Sequence, residues 1–202
     1  MAPRAEPLRF PLSLSFKIVA LAPQIAVTDA GGTLIAYVRQ KLLKLKEAVT
    51  VYSDREQTRP AYRIAADRII DFSAQYHIED AAGASIGVVR RRGMRSLWRA
   101  HYEIARAGHP VLEIHEENPW TKVADGVFGD IPVLGMLSGY VFHPAYRVTY
   151  VGSGAPLLRV VKQPALWEGR YTIERAGEGD PEDERLAVLS VLMMLLLERQ
   201  RG

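Results

Sequence analysis

Apolar and polar residues alternate along most of this chain in short stretches, each broken by a turn signal. Ile25 and Val27, Tyr76 and Ile78, and Tyr146 and Val148 mark three such stretches, each followed by a glycine-bearing turn and a second stretch ending in cations. Period-two alternation predicts strands with one buried and one wet face, as in an antiparallel sheet. Further strands are predicted near Leu12 to Ala20, Val49 to Ser53, Tyr62 to Ala65, Trp98 to Ala105, Val111 to His115 and Tyr171 to Glu174. Strand and turn spacing brings the total to about a dozen. The pattern then changes. From Leu186 to Leu197 the chain reads LAVLSVLMMLLL, with Ser190 the only polar side chain. Asp180-Pro181-Glu182-Asp183-Glu184 ahead of it reads as a helix start: a side-chain oxygen for a free N–H, a proline where no N–H is needed, and acids at the positive dipole end. Arg199 and Arg201 suit the negative end. A helix apolar on every side must be buried all round. Twelve residues rise only ~18 Å, whereas a bilayer core requires ~20 residues.

The alternating segments repeat. QIAVTDAGGTLIAYVRQK, Gln24 to Lys41, aligns without a gap on QYHIEDAAGASIGVVRRR, Gln75 to Arg92, at an offset of 51 residues. A looser third copy, YRVTYVGSGAPLLRVVK, begins at Tyr146 and is one residue longer at its turn. Gly31-Gly32, Gly83 and Gly152/Gly154 are expected to supply the positive φ angles of tight hairpins.

Many antiparallel strands and one wholly apolar helix combine most economically as a closed barrel threaded by that helix. Closure removes unpaired edges, and a barrel of this strand number needs a filler. A sheet curled around the helix with one side open is the alternative. The expected organisation is mainly β: a loose tail over 1–11, one barrel domain over 12–202, and a central helix over 181–199. The segment 118–144, rich in Gly and Pro with scattered apolar residues, is expected to cap one barrel end. Its other reading is a greasy surface for a protein partner or membrane.

Composition narrows the classes. The 202 residues include 48% hydrophobic and 24% charged side chains, ordinary for a folded protein, and a net charge of only +3. No cysteine is present, which excludes disulfides and cysteine metal sites and fits a reducing, cytoplasmic setting. Lys17 interrupts the apolar N-terminal segment, which therefore does not read as a secretory signal.

Candidate chemistry is sparse. The best lead is the cationic ends of the repeated hairpins: Arg39, Lys41, Lys44 and Lys46 in the first copy, and Arg90, Arg91, Arg92, Arg95 and Arg99 in the second. Equivalent positions are expected at the same barrel end, where they would attract anionic lipid headgroups and grip phosphate through paired N–H bonds. A solvated, charged turn is the plainer reading. Nucleic acid is not expected, since base stacking wants aromatics among the cations and only Trp98 lies near. His115, beside Glu113, Glu116 and Glu117, comes nearest to a metal cluster, yet two ligands on one strand face make no site. Gly135-Met136-Leu137-Ser138-Gly139 is not a nucleophile elbow, and neither a dinucleotide fingerprint nor a P-loop occurs. The expectation is a non-enzymatic protein without cofactor or metal.

The repeated unit (YHIEDAAGASIGVVRR, then WRAHYEIARAGHPVLEI), the closing KQPALWEGRYTIE from Lys162 to Glu174, and the acid-capped apolar helix resemble the LURP-one-related family. That family belongs with the phospholipid scramblases and the C-terminal domain of Tubby. The resemblance spans roughly residues 12 to 199 and implies a twelve-stranded barrel wrapped around a hydrophobic C-terminal helix. It also implies an anionic phospholipid or phosphoinositide-type headgroup as ligand, held by basic residues on the barrel, or a peripheral membrane adaptor role. The candidate residues are Lys41, Lys44, Lys46, Arg90, Arg91, Arg92 and Arg95. A protein-interaction scaffold using 118–144 is the alternative. Scramblase-like lipid transfer is the less expected one: no cysteine is available for acylation, and Glu178 to Glu184 lacks the alternating oxygen ligands of a calcium loop.

Overall fold

The structure, a computed structural model, describes residues 7–19, 22–39, 48–67, 75–91, 101–117, 145–164 and 169–199. Twelve strands follow one another: β1 (Leu12–Val19), β2 (Ala22–Thr28), β3 (Leu34–Arg39), β4 (Ala48–Tyr52), β5 (Pro60–Ala66) and β6 (Gln75–Asp80) form the first half. The second half is β7 (Ser85–Arg91), β8 (His101–Arg106), β9 (His109–Glu116), β10 (Ala145–Tyr150), β11 (Pro156–Gln163) and β12 (Gly169–Arg175). The helix α1 (Pro181–Arg199) comes last.

Each strand pairs antiparallel with its chain neighbour, and β1 also pairs with β12, Leu12 standing opposite Ile173 and Leu14 opposite Tyr171. The barrel is closed, which decides against the open sheet; its narrowest described seam is β3–β4, where Tyr37 stands opposite Tyr52. The three sequence copies are the hairpins β2–β3, β6–β7 and β10–β11, four strands apart in the ring of twelve. The 51-residue offset is thus a rotation by one third of the circumference.

One irregularity recurs. The register shifts after Val27, Val51, Ile78, Ile104 and Val148, in five successive hairpins. All five side chains are fully buried. Such a bulge raises the local twist and bends the strand, which is what curves a sheet into a barrel. The first two copies build the turn beyond it identically. Asp29 Oδ1 accepts from the N–H of Gly31 (2.9 Å) and Thr33 (2.8 Å), and Asp80 Oδ1 from Ala82 and Ala84 (both 2.9 Å). The left-handed position falls at Gly32 (φ 81°) and Gly83 (φ 82°). Gly31 is not left-handed; its part is to donate its N–H to Asp29, a correction to the expected role.

The helix fills the tube. Leu186 to Leu196 are all buried, as a segment with no polar face requires. Ser190 satisfies its hydroxyl within the helix, donating to the carbonyl of Leu186 at 2.7 Å. The start is capped as expected: Asp180 Oδ1 accepts from the N–H of Glu182 at 2.8 Å. Polar contacts then hold each end. Asp183 meets Arg106 at 2.8 Å and accepts from the Tyr150 hydroxyl, while Glu184 pairs with Arg175 at 2.7 Å. Fourteen to fifteen residues later, the Tyr102 hydroxyl donates to Glu198 at 2.7 Å.

Of the expected loose tail, residues 7–11 lie against the barrel. Leu8 is buried, Arg9 accepts from the N–H of Ala30, and the Phe10 ring lies 4.9 Å beneath the Arg175 guanidinium. The segment 118–144, expected as a cap, lies outside the described residues, as do Lys41, Lys44, Lys46, Arg92, Arg95 and Trp98 to Ala100.

Candidate functional site: a cationic outer face

Alternation of direction around the ring settles where the basic hairpin ends go. Odd-numbered strands run parallel to one another, so β3 and β7 finish at the same barrel mouth, the one where α1 ends. Arg39 closes β3 and Arg91 closes β7. The two ends share a mouth but stand four strands apart on its rim.

Equivalent residues of the copies do not share the same fate. Gln24 stands opposite Arg39 in the first copy, and Gln75 opposite Arg90 in the second. On its other side Arg90 meets Glu103, with Nε 3.7 Å from a carboxylate only 8% exposed, and Nη2 donates to Gln75 at 3.3 Å. Arg91, next in the chain, is on the inward face of β7, opposite Tyr102. In the third copy Arg147 and Arg159 stand opposite each other, and both reach Glu117, at 3.3 and 2.8 Å. Those cations are neutralised by carboxylates supplied by neighbouring strands. In the first copy the row continues from Gln24 to Lys17 on β1, so the neighbour is a second cation.

Lys17 opens a polar groove of 290 Å³ on the outer face of β12, β1, β2 and β3. Register places Arg170, Ser15, Ala26 and Tyr37 in one row across its floor, with Ser13 and Thr28 in the next. Ala26 and Tyr37 form the buried floor of the groove, 7% and 4% exposed. Arg55 overhangs from the β4–β5 turn, its guanidinium 5.8 Å from the centre of the Tyr37 ring. That turn is fixed by Asp54, whose carboxylate accepts from the Thr58 N–H (2.9 Å), the Thr58 hydroxyl (2.6 Å) and the Arg59 N–H (2.9 Å). The Thr58 hydroxyl foremost, and the two N–H groups with it, hold the Asp54 carboxyl below the usual carboxylate value. Among the described residues lining the groove, three are cations and none is acidic.

Sequence reasoning missed this group. Lys17, Arg55 and Arg170 lie in three unrelated segments, and only the closure of β1 against β12 brings Arg170 beside Ser15.

His101 Nε2 lies 3.2 Å from Glu113, and His115 stands opposite both His101 and Arg147 on the outer face. Among the described residues no group of three His, Asp or Glu side chains is arranged to hold a metal. At the mouth, burial pushes the Tyr102 phenol up, and its bond to Glu198 pushes it further. Burial also raises the Tyr146 phenol beside it. The Tyr102 hydroxyl fastens the end of α1 through Glu198. Among the described residues no helix is long and apolar enough to cross a membrane.

Neither the curated proteins nor the solved structures offer a match to this chain. A family model does: the one described as LURP-one-related matches residues 34–131, from the start of β3 to beyond the end of β9. Residues 34–131 thus form a LURP-one-related region, set within a closed twelve-stranded barrel threaded by its C-terminal helix.

Proposed function

We propose that the protein is a non-enzymatic, peripheral binder of anionic phospholipid headgroups. The observation that carries the reading is the convergence of Lys17, Arg55 and Arg170 on one polar groove of the outer face, with no acidic side chain among its described lining residues. Three cations gathered around one polar groove favour the approach of an anion to the β12–β1–β2–β3 face. Lys41, Lys44 and Lys46 follow Arg39 directly in the chain and extend the same charge. Arg91 closes β7 one third of the way around the rim, and Arg92 and Arg95 follow it in the chain. Each basic side chain near a bilayer surface contributes about 1 kcal/mol toward anionic lipid. A cytoplasmic protein held at a membrane face by these charges fits the absence of cysteine.

Cosedimentation with vesicles tests this. Vesicles containing phosphatidylinositol bisphosphate should retain the protein, neutral phosphatidylcholine vesicles should not, and retention should fall as salt is raised. Lys17→Ala with Arg170→Ala should weaken retention more than Arg90→Ala with Arg91→Ala. Equal retention on neutral vesicles, or indifference to both pairs of substitutions, refutes the reading.

A further inference from the structure

The barrel wall is weakest between β3 and β4, and the anchors of α1 lie elsewhere. We infer that the wall opens there as a slit while the helix stays in place, and that Arg55 on Tyr37 is the latch that holds the slit shut.

Register carries the first part. Every other pair of neighbouring strands runs in register over four residues or more, whereas β3 and β4 meet only at Tyr37 and Tyr52 among the described residues. The same register would set Val38 opposite Val51 and Arg39 opposite Thr50, yet these four described residues form neither pair. Each strand is held from its far side instead: Val38 stands opposite Ile25 on β2, and Val51 opposite Tyr62 on β5. The bulge after Val51 falls at the same level, and a bulge bends its strand away from the ladder. Side chains rather than backbone close the wall at this point, since Val38, Val49 and Val51 are all buried in the core.

The fastenings of α1 carry the second part. Its polar anchors are Tyr102 and Arg106 on β8, Tyr150 on β10, Arg175 on β12, and Tyr62 on β5, which accepts from Arg185 at 3.1 Å. None of these five residues lies on β3 or β4. The helix instead crowds β7, where Gly87 leaves no room beside Leu186. Parting β3 from β4 therefore leaves all five anchors intact. Openings of this local kind require less free energy than unfolding the domain, and they arise where few backbone groups are paired.

Arg55 spans the seam from outside. It sits on the β4–β5 turn, and its guanidinium lies 5.8 Å from the centre of the Tyr37 ring on β3. The Asp54 bonds to Thr58 and Arg59 hold that turn in shape, so the guanidinium ties the β4 side of the slit to the β3 side. A cation over an aromatic face at an exposed site is a weak contact. Placed across a seam with so little backbone pairing, it acts on one local equilibrium.

Amide hydrogen exchange on the full chain tests this. The amides that β3 and β4 turn toward each other should exchange about a hundredfold faster than those of β7 and β8, through an opening that depends only weakly on denaturant. Arg55→Ala should speed them several-fold further and leave β7 and β8 unchanged. The chain has no cysteine, so single thiols report the same opening independently. Val51→Cys should react with a thiol reagent under native conditions faster than Val89→Cys, which is equally buried on β7, and Arg55→Ala should accelerate the first alone. Matched urea midpoints of the two cysteine variants keep the comparison free of global unfolding. Exchange at β3 and β4 that keeps pace with global unfolding, or equal labelling of the two thiols, overturns the slit. An Arg55→Ala effect that is absent, or spread evenly over all strands, overturns the latch.

Discussion

Gly87 on β7 and Leu186 near the start of α1 meet so closely that no side chain fits between them. A Cβ on Gly87 would stand 2.8 Å from Leu186 Cδ1 and 2.9 Å from the carbonyl oxygen of Ala105. The residues at the same barrel level in the other copies are Ala36 and Leu158, opposite Val27 and Val148. The glycine therefore admits the helix on the β7 side. Gly87→Ala should destabilise by about 1–3 kcal/mol, the usual cost of overpacking a filled core. Adding Leu186→Ala should recover only part of that, because the Ala105 carbonyl stays in the way. Urea midpoints of the single and double variants measure the coupling.

Glu184 and Arg175 are bonded at 2.7 and 2.9 Å, but the glutamate side chain is 1% exposed and the arginine 46%. The two removals are therefore unequal. Arg175→Ala strands a buried carboxylate, a change of about 3–5 kcal/mol. Glu184→Gln releases a guanidinium that water can reach, and should cost about 1 kcal/mol. Denaturant melts of the two variants should rank in that order, and a reversed order would mean the carboxylate is not desolvated.

Asp29 and Asp80 carry equivalent bonds in copies related by the 51-residue repeat. Each accepts two backbone N–H groups, so Asp29→Ala and Asp80→Ala should each cost about 1–2 kcal/mol. Asn at either site keeps an acceptor oxygen and should cost less. Similar losses at the two sites, read from thermal midpoints, would establish that the copies contribute alike.

His115 gives the outer face a pH dependence. Burial lowers its pKa, Glu113 and Glu117 work against this, and His101 and Arg147 reinforce it. A histidine with a folded value below its unfolded one binds fewer protons in the native state. Its contribution is intact above about pH 6.5 and is lost as pH falls below that value. Lowering the pH from 7.5 to 5.5 should depress the unfolding midpoint more in the native protein than in His115→Gln.

The fold was legible because every local signal agreed with it. Alternation placed the strands, Asp-Ala-Gly-Gly and Asp-Ala-Ala-Gly marked two turns, and twelve residues without a polar face left only the barrel interior for the helix. The Gln24–Arg39 and Gln75–Arg90 pairs were visible as aligned letters. Their different charge balance was not, because it depends on Glu103 and Lys17, and cross-strand neighbours follow from register. Arg170 and Ser15 are 155 residues apart and meet only at the seam. No local pattern encodes that meeting. The bulges escaped for a related reason: an extra residue in one strand is defined only against its partner. The basic segments 41–46 and 92–95 and the stretch 118–144 fall outside the described residues, and their part in binding rests on the vesicle experiments.

The seam between β1 and β12 also sets the order of assembly. During synthesis the first strand emerges long before its second partner, and the plug follows all twelve strands. Until then a nascent half-cylinder holds an apolar lining with nothing to fill it. Folding must wait for β12 and the helix that follows it, and contacts of such long sequence separation slow it further. Translation thus leaves a sticky, incomplete vessel that molecular chaperones have reason to shield, and a ribosome stalled before residue 181 would release it to aggregate.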